Sequence, residues 1–372
     1  MPSKKVLHID TEMSWRGGEN QIRLLLEHAP NSGVEWHLAA PPESQAILRM
    51  AKFARTLPVP MKGLKQLSAA KTIANYCKTE SIDLIDCQSS RAHQLGLLVK
   101  YLVPSIKLVV HRRVDYPPGG SWLNRFKYIN QRIDRYIAIS QAIGDILIDY
   151  GVPKESISIV RSAVDPSPFE GLDRAKAREK LLAELGVTLP ASTPIIGNLA
   201  YITEQKGHET LVRALGILKA QGLPFFAFIA GDGELRQMNE TLASTLNLEA
   251  NLKFLGIRKD VPELLAATDI FALSSNDEGL GTSLLDATHS GCCLVATSVG
   301  GIPEIITHKQ TGLLSAAKDH KAFAINLTQA LQSQALRETL ANNAKAHVRK
   351  RFSLEQMVEG NLEIYRQLTH KS

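Results

Sequence analysis

A chain of 372 residues is longer than one hydrophobic core usually organises, so two domains of about 150 to 200 residues are expected. Its 44% hydrophobic, 22% charged and 6% aromatic composition excludes a disordered or fibrous protein. The net charge of +6 is lopsided: residues 1–165 hold 22 Lys and Arg against 15 Asp and Glu, and the remainder is close to neutral.

The N-terminus is basic, but its apolar run Val6-Leu7-His8-Ile9 is too short for an export signal and ends at Asp10, so it reads as a first strand. Further strands are predicted at Glu35–Ala40, Leu84–Cys87, Lys107–His111, Tyr136–Ile139 and Ile157–Val160. After a break they resume at Pro194–Leu199, Phe225–Ala230, Leu252–Phe254, Ile270–Leu273 and Cys292–Thr297. Amphipathic helices fit between them, among them Glu19–Glu27, Leu211–Ala220 and Gly281–Ser290. This rhythm predicts an α/β protein with parallel sheets covered by helices on both faces. Pro166, Pro168 and Gly171 interrupt the rhythm and mark a linker. The expected domains are therefore 1–165 and 166–352, both doubly wound. Residues 353–372 carry a last helix, Leu354–Leu368, expected to fold back on the first domain. No segment approaches the roughly 18 apolar residues of a membrane-spanning helix. Cys77, Cys87, Cys292 and Cys293 have neither disulfide-framework nor zinc spacing, which predicts a reducing cytoplasm.

Between residues 44 and 79 lie Arg49, Lys52, Arg55, Lys62, Lys65, Lys71 and Lys78 with no acid among them. Two readings stay open: peripheral contact with an anionic membrane surface or a phosphorylated acceptor, or an ordinary solvated helix face. Nucleic acid is set aside, because only Phe53 and Tyr76 interleave the bases.

Open parallel sheets bind ligands beyond the carboxyl ends of their strands, and two such sheets facing each other would make a deep cleft. The loop 274–281 follows a strand, carries Gly279 and Gly281, and opens a helix, so free amides near Gly281, Thr282 and Ser283 suit phosphate. Glu278 stands just ahead of that helix start and Asp286 about one and a half turns inside, an arrangement able to address both ends of an elongated ligand. Lys206-Gly207 likewise precedes a helix and offers a mobile cation for a diphosphate. Gly17-Gly18 and Gly300-Gly301 are further strand-end loops that either approach a ligand or simply turn the chain. Gly231-Asp232-Gly233 lacks the third glycine of a dinucleotide fingerprint, and no P-loop lysine pattern occurs, which disfavours dehydrogenase and kinase readings.

In order, Lys206-Gly207, Gly231-Asp232-Gly233, Phe254-Leu255-Gly256, Glu278 with Asp286 eight positions on, and Gly300-Gly301-Ile302-Pro303-Glu304 resemble the C-terminal half of retaining glycosyltransferase family 4, which has the GT-B fold. The likeness is dense over 195–315 and thinner through Ile137–Ser140, Gly151-Val152-Pro153 and Val164-Asp165, while Gly17-Gly18 matches the family's N-terminal glycine loop. Residues 26–105 show no family motif.

The resemblance implies a nucleotide-diphosphate sugar bound mainly by the C-terminal domain and an acceptor, a glycan or lipid-linked glycan, bound by the N-terminal one. Glu278 matches the family acid that touches the donor sugar. Asp286, one methylene shorter than the usual glutamate, takes the place of the acid that holds the ribose. Lys206 matches the diphosphate lysine, and Asn198 stands where an arginine commonly accompanies it. Arg112, Arg113 and Arg161 are the candidates to replace that cation. Ser162-Ala163 replaces the usual Asn-Gly of the linker motif. Gly17, Gly18, Asn198, Gly281, Thr282, Ser283 and Asp286 thus join Lys206 as expected nucleotide-sugar contacts. His111 matches the family's histidine near the reacting sugar, giving Glu278, Lys206 and His111 as the expected catalytic group. Retention implies that the leaving phosphate takes the acceptor proton. With no D-x-D pair in the chain, metal-independent transfer without a cofactor is expected. A GT-B epimerase, a phosphorylase and a non-catalytic scaffold are the alternatives. Of the remaining histidines, His8 and His93 read as structural and His208 as a helix-surface residue.

Overall fold

The computed structural model describes residues 3–61 and 63–370; Lys62 of the basic stretch lies outside the described residues. The chain forms two compact units, Met1–Ala163 with Ser353–Ser372, and Val164–Phe352.

The first unit holds seven strands: β1 (Lys4–Ile9), β2 (Val34–Ala40), β3 (Arg55–Pro58), β4 (Leu84–Cys87), β5 (Lys107–Arg112), β6 (Arg135–Ala138) and β7 (Ile157–Ile159). They pair in the order β3-β2-β1-β4-β5-β6-β7, every pair parallel. Side chains of successive strand residues point to opposite faces, so Leu7 and Ile85 enter one core while Val6 and Leu84 enter the other. The first core is roofed by the helices Gln66–Glu80, Ser90–Leu102, Trp122–Tyr128 and Gln141–Tyr150, which contribute Ile73, Leu95, Tyr128 and Leu147 respectively. The second is roofed by Gly17–His28 and by the C-terminal helix Leu354–Thr369, whose Leu354, Met357, Val358, Leu362 and Tyr365 recur every three or four residues.

The second unit has β8 (Ile195–Leu199), β9 (Phe226–Ala230), β10 (Leu252–Gly256), β11 (Ile270–Leu273), β12 (Cys293–Thr297) and β13 (Leu313–Ser315), paired in parallel in the order β10-β9-β8-β11-β12-β13. Two apolar clusters again flank the sheet, one around Ile196, Leu215 and Ile229, the other around Ile195, Phe226 and Phe228.

Two strands go beyond the sequence reading. β3 ends at Pro58, a residue tolerated because this is an edge strand. β13 has only three residues and is also an edge, too short to show a period. The basic stretch is also not one helix face. Arg49 lies over the Trp15 ring at 4.6 Å, and Arg55 pairs with Glu35 and Glu80 at 3.2 and 3.0 Å. Lys71 and Lys78 project from the exposed side of Gln66–Glu80.

The C-terminal helix is part of the first unit's core, and Leu362 is fully packed within it. Leu362→Ala is predicted to destabilise that unit by about 2–4 kcal/mol. Urea unfolding followed by circular dichroism checks this, and an unchanged midpoint would show that the helix merely rests on the surface.

Candidate active site

The carboxyl ends of β8 and β11 carry two loops that are sewn together by backbone contacts. Asn276 donates from its amide N–H to Gln205 O at 2.7 Å and from its side chain to Glu204 O at 2.7 Å. Ser274 Oγ donates to Gly207 O at 2.9 Å. Gly207 has φ of +59°, and a Cβ there would sit 2.2 Å from Ser274 O, so only glycine lets the loops close up. Gly300 does the same for the neighbouring loop: its missing Cβ would fall 1.7 Å from Glu278 O, and the following amide, Gly301 N–H, donates to that oxygen at 3.0 Å. The Gly300-Gly301 pair therefore cradles the Glu278 backbone.

This stitching brings together two of the expected catalytic side chains. Lys206 Nζ donates directly to Glu278 Oε2, forming a half-buried ion pair, and Ser275 Oγ donates to the same oxygen at 3.3 Å. Three residues beyond Glu278, Gly281 caps the helix Thr282–His289 in a left-handed conformation with no side-chain cap. The first-turn amides at Thr282 and Ser283 thus have no intrahelical acceptor and present the positive end of the helix beside the ion pair. Asp286, one turn further on, has no hydrogen-bond or ion-pair partner among the described residues, and burial alone raises its pKa to about 7.

Asn198 is fully buried and engaged within the protein: Nδ2 donates to Ala272 O at 2.7 Å, and Oδ1 accepts from His208 Nε2 at 3.0 Å. His208 is therefore not a helix-surface residue. The first turn of its helix is drawn inward by Asn198, and burial, with Lys206 nearby, lowers its pKa to about 4.

In the first unit, Gly17 and Gly18 start the helix Gly17–His28, and Glu19 closes its entry by accepting the Arg16 N–H at 2.6 Å. The Arg113 side chain lies over Gly18, its Cδ 3.6 Å from where a Cβ would stand. The same guanidinium donates to Gln88 Oε1 at 2.8 Å and to His111 Nδ1 at 3.3 Å. Gly18, Arg113 and His111 are thus brought together. Arg112 is not part of this group: it is buried, donates to Tyr128 Oη at 2.8 Å and to Tyr116 O, and lies against both rings. Arg161 is partly buried and interacts with other residues of the protein.

Beneath His111 lies a buried polar group that sequence reasoning missed. His111 Nε2 donates to Asp86 Oδ2 at 3.0 Å, and the Tyr365 hydroxyl of the C-terminal helix donates to the same oxygen. His8 Nδ1 stands 3.6 Å away. Burial pushes the Asp86 carboxyl up, but the hydrogen bonds from His111 and the Tyr365 hydroxyl, with the positive charge that His111 and His8 take on in acid, bring it below the usual carboxylate value. Burial keeps the His111 imidazole below its ordinary pKa and hence neutral, which fits an Nδ1 that accepts from Arg113. The one available signal was a carboxylate inside the apolar strand Leu84-Ile85-Asp86-Cys87. His8 and His93 are structural as expected, the latter packed against Tyr128 and Tyr136.

Residues 186–347 match the family Glycosyl transferases group 1, and residues 15–168 match Glycosyltransferase Family 4. The lipopolysaccharide core biosynthesis glycosyltransferase LpsE of Rhizobium meliloti is 25% identical over 294 residues, 78% of each chain. Alpha-maltose-1-phosphate synthase of Mycolicibacterium smegmatis is 30% identical over 265 residues, 67% of each chain. The crystal structure of Anabaena HepE in complex with UDP and glucose aligns with a TM-score of 0.84 at 21% identity, covering 98% of this chain and 100% of that one. Fold and sequence together define a glycosyltransferase of GT-B architecture. The chain belongs to glycosyltransferase family 4.

The unpartnered Asp286 makes a pH prediction. The carboxyl ionises near 3.8 when unfolded and near 7 when folded, so the folded state holds the proton in between and loses stability as pH rises from about 4 to about 7. Asp286→Asn is predicted to stabilise the protein at pH 8 by at least about 1 kcal/mol, the worth of one pKa unit. The advantage should shrink toward pH 4.5 in urea titrations; an equal difference at both pH values would contradict the assignment.

Proposed function

We propose that this glycosyltransferase moves a sugar from a nucleotide-diphosphate sugar to a hydroxyl of a glycan or lipid-linked acceptor, with retention of anomeric configuration and without a metal ion. The observation that carries the reading is the Lys206–Glu278 pair set beside the uncapped helix start at Gly281. When the bond between the anomeric carbon and the diphosphate breaks, negative charge grows on the departing oxygen. Lys206 and the amides of Thr282 and Ser283 are fixed positive groups able to receive it, and a single such donor is typically worth about 3 kcal/mol. Binding of the diphosphate draws Lys206 from Glu278, freeing that carboxylate to accept from the sugar hydroxyls. The new bond forms from the acceptor oxygen to the anomeric carbon on the face the diphosphate leaves. The acceptor's proton passes to the departing phosphate oxygen, so no side-chain base is needed. Asp286 is the group for the ribose. Neutral His111, held by Asp86, positions the reacting sugar, and Arg113 beside Gly18 supplies a further cation.

HepE holds UDP and glucose, so uridine diphosphate sugars come first in a donor panel. LpsE acts in lipopolysaccharide core biosynthesis, and the excess of cations in residues 1–165 suits an anionic, lipid-linked acceptor at the inner face of a membrane. No helix among the described residues is long and apolar enough to cross a membrane. The reading puts the protein in the cytoplasm, which four free, buried thiols support.

Nucleotide release from a panel of nucleotide sugars tests the proposal. Lys206→Ala should lower turnover at least about 100-fold with the circular dichroism spectrum preserved; unchanged turnover would remove its diphosphate role. Glu278→Gln should impair transfer far more than binding of free nucleoside diphosphate, read by calorimetry. Equal losses in both would make Glu278 a nucleotide ligand instead.

A further inference from the structure

The helix Trp122–Tyr128 is amphipathic in the wrong sense for a core helix. Its inward residues are Lys127, whose ammonium donates to Ser90 O at 2.6 Å and Ser90 Oγ at 2.8 Å, and Tyr128, whose hydroxyl accepts from Arg112. Three of its outward residues are large and apolar, Trp122 being 75% exposed, Leu123 59% and Phe126 56%, with Arg125 exposed among them. Trp122 and Phe126, four residues apart, share one face of the helix with Leu123 beside them, so the exposure is clustered rather than scattered. Ser121 caps the helix by accepting from Asn124 N–H at 3.3 Å, and Tyr150 Oη donates to Gly119 O at 2.9 Å, so the preceding turn is also fixed.

Its charge setting identifies the partner. From Tyr116 to Ile133 there is no acid, while Arg125 and Arg132 are exposed, the latter stacked over Tyr101 at 4.5 Å. Asp145 and Asp149 are exposed on the helix Gln141–Tyr150, which roofs the same core. The helix Gln66–Glu80, with exposed Lys71 and Lys78, and the helix Ser90–Leu102, with exposed Arg91, roof the same side of the sheet, since their inner residues share one core cluster with Tyr128. An apolar strip of Trp, Leu and Phe flanked by cations matches the chemistry of the headgroup boundary of an anionic bilayer, where aromatic rings sit at the interface and cations meet lipid phosphates.

We propose that the outward face of Trp122–Tyr128 inserts into the surface of an anionic membrane, with Arg125 at the headgroups and the lysines of Gln66–Glu80 adding long-range attraction. The strip follows β5, whose carboxyl end carries His111, so docking there brings a lipid-anchored acceptor toward the residue expected beside the reacting sugar. The inference deepens the reading of a lipid-linked acceptor, on which it rests.

The test uses the full chain and vesicles of phosphatidylcholine with or without 30% phosphatidylglycerol, with no donor or acceptor present. Wild type should co-sediment with the anionic vesicles in a salt-sensitive manner, and Trp122→Ser/Phe126→Ser should bind at least about tenfold more weakly with unchanged thermal unfolding. Brominated lipid should quench wild-type tryptophan fluorescence, and Trp122→Phe should abolish that quenching. Equal vesicle binding by wild type and the double variant would overturn the proposal. So would a dimer of the wild type that the double variant dissociates, or a loss of transfer to a water-soluble acceptor in the double variant. If vesicle binding fails while nucleotide release from sugar donors persists, this inference falls alone; if the reverse holds, the transfer reading falls alone.

Discussion

A lysine and a glutamate 72 residues apart share a hydrogen bond at the carboxyl edge of one sheet, and the rest of that site is arranged around their contact. The contact exists because two glycines have no Cβ. At Gly207 the loop after β8 presses against Ser274 O, and at Gly300 the loop after β12 presses against Glu278 O, closer in each case than any side chain allows. Loops packed this tightly hold a cation, a carboxylate and an open helix start together. Fixed donors are what a departing diphosphate requires, because no reorganisation is then needed as charge develops.

The two acids of this site differ in their electrostatics. Glu278 has Lys206 and Ser275 as partners, whereas Asp286 has none among the described residues and is pushed by burial to a pKa of about 7. A carboxyl kept close to neutrality can donate as well as accept, which suits a hydroxyl-bearing ligand such as a ribose. In the first unit the logic is reversed. Asp86 is surrounded by donors from His111 and Tyr365, so a charge is buried there and a neutral imidazole is held in one tautomer above it. Because Tyr365 belongs to the C-terminal helix, the chain's last element reaches the group that orients His111.

Much of this was legible in the sequence. The strand rhythm, the roofed parallel sheets and the strand-end positions of Lys206, Glu278 and Gly281 follow from apolar periodicity and glycine placement. What was not legible depends on contacts across long sequence separations. His208 looks like a helix-start surface residue until Asn198 is seen to accept from it, and Asn198 looks open to ligand until its amide is seen bonded to Ala272. The Asp86–Tyr365 contact spans 279 residues, and nothing local marks it. Gly300-Gly301 reads equally as a ligand loop or a turn, and only the position of the Glu278 backbone shows what the absent side chain permits. The inverted amphipathicity of Trp122–Tyr128 escaped for a related reason: an apolar period normally faces a core, and only packing shows that this one faces out.

The central claim is that the Lys206–Glu278 pair is the resting state of a diphosphate site. A crystal structure with a nucleotide-diphosphate sugar bound to the intact protein tests it most directly. The account predicts Lys206 Nζ parted from Glu278 and within hydrogen-bonding distance of a diphosphate oxygen, with the Thr282 and Ser283 amides facing the same group. A ligand bound elsewhere, with the ion pair unbroken, would contradict it.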